Sequence, residues 1–364
     1  MQKVTVGILG SGAIAPAYLR NLKSHFSGVV DVVACADNVA ESAAKCADEF
    51  NVPKACTPAE LLADPSVEIV VNLTPAPAHH AVSLSILKAG KHLFSEKPLA
   101  LSLEHGREIL ELAAARGLRV AGAADTFLGG GVQFCRKLID EGRIGTPVAA
   151  SILVGTDLFH FARYHHVFRG ALLDLGPYYL TALVALLGPV ARVSGAAEIR
   201  FPEKPHAPDS PEAGTTFAVD IPTSVSGSLE FVDGTVASLV ASCDMNGNFR
   251  RVEIYGTKGT LTINDVNRYS DRVVLRAGDV EETFHPYAGF CELGRGLGVA
   301  ELALALREGR APRASGDLMY HVLEVMLGVH ASSAAGRHVQ MQTRVDRPAP
   351  FDYAALAPAR KRVW

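Results

Sequence analysis

The chain has 364 residues, 48% of them hydrophobic and 20% charged, with 35 Lys plus Arg against 38 Asp plus Glu and a formal charge of -3. That length suits two domains of roughly 100–200 residues each, and the charge balance argues against a basic nucleic-acid binder. No uninterrupted apolar run reaches the roughly 18 residues of a membrane helix; the nearest, 178–187, lies between Gly176-Pro177 and Gly188-Pro189. Six cysteines without a CxxC pair make neither a disulfide framework nor a zinc motif, and a reducing cytoplasm fits them best.

The first third alternates short apolar strands with helices. Residues 4–9 predict a strand, 13–26 a helix, 29–36 a strand and 41–50 a helix. Lys3 ahead of an apolar stretch superficially resembles an export signal, but that stretch is a β-rich run that meets Gly10-Ser11-Gly12 at once. A fully apolar strand at 69–73 ends in Thr74-Pro75, and the helix after it stops at Ala89-Gly90. Strand 91–94, helix 102–116 and strand 118–122 complete a series typical of parallel βαβ units with both sheet faces covered. Beyond residue 124 the texture changes. Longer strands are predicted at 215–221, 226–232 and 235–242, the last two joined by Asp233-Gly234, and two more are joined by Gly256-Thr257-Lys258-Gly259. Helices are expected at 130–141, 177–187, 298–308 and 317–334, and the Pro-rich stretch 201–214 reads as a loop.

Gly10-Ser11-Gly12-Ala13-Ile14-Ala15 matches GxGxxA between a strand and a helix. In that context the first glycine makes the turn, the second admits a pyrophosphate, and the small third residue lets helix and strand pack closely. Asp37 closes the second strand about 20 residues further on, where a carboxylate accepts ribose hydroxyls and repels a 2′-phosphate. NAD is therefore favoured over NADP. The fold expected is an N-terminal Rossmann domain with a doubly wound parallel sheet (1–123), followed by an α+β domain for substrate binding and oligomerisation (124–340). The second domain carries a large, open, mainly antiparallel sheet flanked by helices, and a tail at 341–364 packs on the surface.

Glu96-Lys97-Pro98 follows the fifth strand of such a domain. With the fingerprint, the chain resembles the Gfo/Idh/MocA family of glucose–fructose oxidoreductases and inositol dehydrogenases. Thr74-Pro75-Ala76-Pro77-Ala78-His79 resembles the family's TPxxxH loop beside the nicotinamide. Asp174-Leu175-Gly176-Pro177-Tyr178 resembles its DxGxH motif, with Tyr in the His place, and Arg313–Gly316 with His321–Val325 resembles its C-terminal helix region. The likeness spans about residues 4 to 340. It implies a hydride-transferring dehydrogenase or reductase acting on CH–OH groups of a sugar, polyol or related compound. It also implies no metal, and a homodimer or homotetramer formed through the C-terminal sheet.

By that resemblance Gly10, Gly12, Ala13, Ile14, Asp37, Thr74, Pro75, His79, Glu96 and Lys97 form the cofactor site, with Glu96 on the nicotinamide ribose and a cis bond before Pro98. Lys97, Asp174 and Tyr178 are the catalytic candidates. Lys97 precedes a proline and so is held extended at a sheet edge, where a cation stabilises alkoxide-like charge. Its bland counterpart is a surface lysine in a turn. Tyr178, with an unperturbed pKa of about 10, becomes a base only if a cation such as Lys97 lowers it; the acid/base role stays open between the two. Asp174 orients a hydroxyl or the base, or caps a helix whose first turn holds Pro177. Tyr179 suits a core aromatic better. His160, Arg163, Tyr164, His165 and His166 fit no strong zinc spacing and read as a substrate-contacting or solvated loop; of the family's glycine cluster at 168–170 only Gly170 remains. Two other functions stay compatible with the fold: an NAD-dependent glycosidase and a non-catalytic dinucleotide sensor.

Overall fold

The computed structural model describes residues 2–157, 159–160, 162, 170–286, 294–353 and 356. They divide into two compact units, each built from separated stretches: 1–130, 287–320 and 348–364 in the first, 131–286 and 321–347 in the second.

In the first unit, strands β1 (Val4–Leu9), β2 (Val30–Ala36), β3 (Lys54–Cys56), β4 (Ile69–Asn72), β5 (His92–Ser95) and β6 (Val120–Gly122) alternate with helices. These are α1 (Ala15–Ser24), α2 (Ala40–Phe50), α3 (Pro58–Ala63), α4 (His79–Lys88) and α5 (Leu103–Ala115). The strands pair in parallel in the order β3-β2-β1-β4-β5-β6. All four residues of β4 are buried, as a strand covered on both faces requires. Helix α1 buries Ala15, Tyr18, Leu19 and Leu22, one stripe at 3.6-residue period. Thr57 and Glu60 form a capping box on α3, and the Ser102 side chain caps α5. Strand order reverses between β1 and β4, so their carboxyl ends flank the crevice where ligands bind in open α/β sheets.

The second unit holds α6 (Gly130–Asp140), β7 (Pro147–Asp157), α7 (Gly170–Leu187), β8 (Val190–Glu198), β9 (Glu203–Pro205), β10 (Thr216–Ala218), β11 (Ser224–Phe231), β12 (Val236–Ser242), β13 (Asp244–Gly256), β14 (Thr260–Ile263), β15 (Val273–Ala277) and β16 (Val280–Phe284). Its nine-stranded sheet runs β16-β15-β14-β13-β7-β12-β11-β8-β17, where β17 is Val339–Gln340. The β7–β12 pair is parallel and the others antiparallel. Asp233-Gly234 turns β11 into β12, with Thr235 N–H donating to the Asp233 carboxylate at 2.9 Å. Helix α7 packs on β7, β11 and β12. It is long and apolar enough to cross a membrane by composition, yet 94% of it is buried inside the protein, as befits a core helix.

Four expectations change. Helix α7 includes residues from Gly170, so Pro177 lies inside it and Asp174 is not its cap; the proline removes one backbone donor, and the missing bond is tolerated in a helix held by packing on three strands. The Pro-rich stretch 201–214 contains β9, which pairs with β10 as a two-stranded ribbon. The helix expected at 298–308 is α8 (Leu297–Glu308) and packs on β5, β6 and α1, so it belongs to the first unit rather than to a continuous 124–340 domain. The last long helix, α9 (Gly316–Ala335), runs across the division. The tail is more than a surface strap: Phe351 and Tyr353 are buried, and the Tyr353 hydroxyl donates to the Leu128 carbonyl at 2.6 Å.

Candidate active site

The glycine loop follows β1 directly. Gly10 has φ +103°, and a Cβ there would lie 2.8 Å from the Leu73 carbonyl carbon and 3.0 Å from the Thr74 nitrogen, so only glycine fits between the ends of β1 and β4. Gly12, Ala13 and Ile14 are exposed, and nothing lies within 4 Å of a Cβ built on Gly12. Among the described residues, helix α1 begins with no side-chain cap and no acid in its first turn, so its own sequence does not neutralise its N-terminal field. Asp37 is fixed from both sides: its Oδ2 accepts from Ser11 N–H at 2.8 Å and its Oδ1 from Val39 N–H at 2.9 Å. An open backbone cradle ending at an aligned carboxylate fits a dinucleotide.

The other edge of the crevice is built on Asn72, fully buried at the end of β4. Its Oδ1 accepts from Thr74 N–H at 3.2 Å and Thr74 Oγ1 at 2.7 Å, while its Nδ2 points at His79 O and Ser83 Oγ. Pro75 is exposed beside half-buried Thr74. His79 is 1% exposed and uses both ring nitrogens on backbone: Nδ1 lies 2.7 Å from Pro98 O and Nε2 2.8 Å from Thr74 O. Burial lowers its pKa, against the two carbonyls, which favour the charged ring. The imidazole therefore ties the Thr74-Pro75 loop to the Lys97-Pro98 turn, and that peptide bond is cis. His80, beside it, bonds Glu108 at 2.7 Å and stacks on His105.

Glu96 closes β5 with its carboxylate already oriented. Oε1 accepts from the Tyr18 hydroxyl at 2.7 Å, and Oε2 from Lys97 N–H at 3.0 Å. Lys97 is half-buried. Tyr18 and Asn72, which hold Glu96 and Thr74 by hydrogen bonds, are supports that sequence reasoning missed. The available signals were a polar residue ending an otherwise apolar strand, and a tyrosine on the buried stripe of α1.

In the second unit, Asp174 and Tyr178 stand four residues apart on one face of α7, Asp174 half-buried and Tyr178 4% exposed. Tyr179 is fully buried with its hydroxyl on Asp265 Oδ1 at 3.0 Å, and burial raises its pKa, which suits the core role expected of it. His160 rests on the Pro205 carbonyl at 2.9 Å; Arg163, Tyr164, His165 and His166 lie outside the described residues. Asp125, at the end of the first unit's sheet, is fully buried and accepts from Gly298 N–H at 2.7 Å at the start of α8, an anchoring role.

Residues 4–123 match the family described as "Oxidoreductase family, NAD-binding Rossmann fold", and residues 132–262 match the "GFO/IDH/MocA C-terminal domain". The chain belongs to the Gfo/Idh/MocA oxidoreductase family. Trans-1,2-dihydrobenzene-1,2-diol dehydrogenase of Mus musculus is 29% identical over 272 residues, 74% of this chain and 77% of that protein. Inositol 2-dehydrogenase 3 of Saccharopolyspora erythraea is 32% identical over 150 residues, 40% of this chain and 44% of its own. The solved structure of levoglucosan dehydrogenase in complex with NADH and L-sorbose superposes with a TM-score of 0.81 at 21% identity, covering 94% of this chain and 100% of that one, and so shares the fold. The N-terminal unit is an NAD-binding Rossmann domain, and the enzyme class is oxidoreductase.

Proposed function

We propose that the protein is an NAD-dependent dehydrogenase or reductase that moves a hydride between nicotinamide C4 and a carbinol or carbonyl carbon of a sugar, polyol or related hydroxylated compound. The observation that carries this reading is the convergence, at the carboxyl edge of one parallel sheet, of the Gly10–Asp37 cradle with the Glu96-Lys97 pair. Gly10, Gly12, Ala13 and Ile14 receive the pyrophosphate, and Asp37 the adenosine ribose. Thr74, Pro75 and Glu96 serve the nicotinamide half, with His79 acting through the two carbonyls it joins. The bound nicotinamide supplies the hydride acceptor or donor. Lys97 stabilises developing negative charge on the substrate oxygen. Tyr178 or Lys97 takes the hydroxyl proton, and Asp174 orients the substrate or the base.

Free Cys35, Cys46, Cys56, Cys135 and Cys243 support a reducing, cytoplasmic setting. The open face of β8, β11 and β12, with Ser194, Ser226, Ser228 and Ser238 and the exposed Val236, supports self-association through the C-terminal sheet.

The test is near-ultraviolet absorbance of NADH with purified protein, NAD or NADP, and a panel including inositols, levoglucosan and a trans-dihydrodiol. Substrate-dependent NADH formation with NAD is expected, and Lys97→Ala is expected to cut turnover about 10²–10³-fold while NADH still binds. Full turnover by Lys97→Ala would overturn the assignment. Release of nitrophenol from glycosides without net NADH would move it to the glycosidase.

A further inference from the structure

Lys204 falls within the Pro-rich stretch expected as a loop, yet it is 0% exposed. The cause is strand alternation: in the short ribbon of β9 and β10 the outer residues of each strand face water, and Lys204 and its register partner Phe217 both face inward. A buried ammonium needs a counter-charge and bonded neighbours. Lys204 has both. Its Nζ pairs with the Asp244 carboxylate, and it lies 4.3 Å from the ring centroid of Phe159. Asp244, itself buried to 7% side-chain exposure, also accepts from Thr223 Oγ1 at 2.6 Å and from Ser224 Oγ at 3.1 Å.

The neighbours of this ion pair seat the start of α7 by two routes. Cys243, next to Asp244, donates its thiol to the Thr223 carbonyl at 3.6 Å and is hydrogen-bonded by the backbone of Ala171 in the first turn of the helix. Gly170, at φ +78°, lies so close to the Pro222 carbonyl that an added Cβ would sit 2.8 Å from its oxygen. Residues 222–224 and 243–244 are therefore the bed of that turn, and the Lys204 cation holds them together. The same lysine fixes Phe159, which also packs edge-on against Phe201, and His160 bonds the Pro205 carbonyl of β9.

We propose that Lys204 is a positioning residue that locks the β9–β10 ribbon onto Asp244 and thereby sets the first turns of α7, the helix carrying Asp174 and Tyr178. It touches no reacting atom; it acts through Asp244 and the bed of the helix. The proposal deepens the dehydrogenase reading and rests on it for the catalytic consequence, whereas its structural half stands alone.

Amide hydrogen exchange tests that half without any substrate. Lys204→Met in the full-length protein is expected to speed exchange about tenfold both in the 203–218 ribbon and in the α7 amides from Leu172 to Tyr178, leaving peptides of the first unit unchanged. Lys204→Arg, which keeps the cation, is expected to restore protection. Asp244→Asn, which keeps one oxygen for the Thr223 and Ser224 hydroxyls and removes the charge that faces Lys204, should show the same pattern, and it decides the matter if Lys204→Met does not fold. With a turned-over member of the panel, kcat should fall with α7 protection while NADH affinity stays constant. Faster exchange confined to the ribbon, or unchanged kcat despite a loosened α7, would overturn the proposal. Wild-type protein that protects α7 but turns over nothing would instead count against the dehydrogenase reading alone.

Discussion

The two units solve the same problem, holding polar groups in a buried setting, by opposite means. In the first, the loop after β4 is supported from close by, with Asn72, Thr74 and His79 lying within eight residues and His79 reaching on to Pro98, while Tyr18 reaches Glu96 across 78 residues. Most of these bonds go to backbone at the ends of parallel strands, so the loop geometry and the site are one object. In the second, Lys204 meets Asp244 across 40 residues and His321 meets Val190 across 131. Those sites exist only once the sheet has formed. Local damage in the first unit should therefore abolish cofactor binding, whereas damage in the second should appear first in stability and pH response.

The sharpest break in the first unit is Gly10→Ala. The added carbon meets Leu73 and Thr74 backbone, which cannot swing away like a flexible side chain, and the residue must also hold φ +103°. Strain and overpacking together should cost roughly 2–5 kcal/mol. The expected outcome is loss of NADH binding by fluorescence titration, with a lowered thermal midpoint. Wild-type NADH affinity in this variant would refute the cradle.

The second unit offers a pH signature instead. His321 is fully buried; its Nε2 accepts from Val190 N–H at 3.0 Å, and its Nδ1 lies 2.7 Å from Thr343 Oγ1, whose hydroxyl donates to Glu324. An acceptor nitrogen on a backbone donor requires the neutral ring, and burial lowers the pKa from 6.5 to about 4. The unfolded chain then binds more protons between those values. The contribution is fully present above pH 6.5 and is lost as pH falls toward 4, about 3 kcal/mol in all and about 2 of it by pH 5. His321→Gln keeps a donor and an acceptor but cannot titrate. Urea unfolding at pH 7.5 and pH 5 should therefore show an acid loss about 2 kcal/mol smaller in the variant than in the wild type. Equal losses would mean that the ring takes up its proton in the fold as readily as in the unfolded chain.

Much of the first unit was legible because its signals are local. The glycine fingerprint, the apolar β4 and the carboxyl-end position of Glu96-Lys97 each sit within a few consecutive residues. Strand β3 and helix α3 escaped because three and six residues are too short for a periodic pattern. Central β7, Pro147–Asp157, escaped because Ala149, Ala150, Ser151 and Gly155 dilute its β-branched content; burial by α7 and pairing to β12 and β13 override that weak propensity. The interior Pro177 was misread because propensity outweighed the packing of an apolar helix on three strands. Lys204 and His321 were invisible for a different reason: composition assigns each a plausible surface or motif role, and only long-range pairing gives it a charge partner or a backbone donor.

The finest distinction between the units concerns charge near the cofactor. Asp37 already accepts two backbone N–H bonds, so its carboxylate is aligned before any ligand arrives. Asp37→Asn retains an oxygen acceptor for one of those donors and removes the negative charge. An exposed or half-exposed charge pair about 4 Å apart in water is worth ~1 kcal/mol. The substitution should therefore shift the NADH-to-NADPH affinity ratio about fivefold toward NADPH, with no change in the acid response of the second unit. Because that interaction lies near the surface, the shift should shrink as salt is raised from 0.05 M to 0.5 M, where the Debye length falls below ~5 Å. A ratio unmoved at low salt would mean that the carboxylate serves the Ser11 and Val39 backbone alone, and cofactor choice would then have to rest on the shape of the loop after β2.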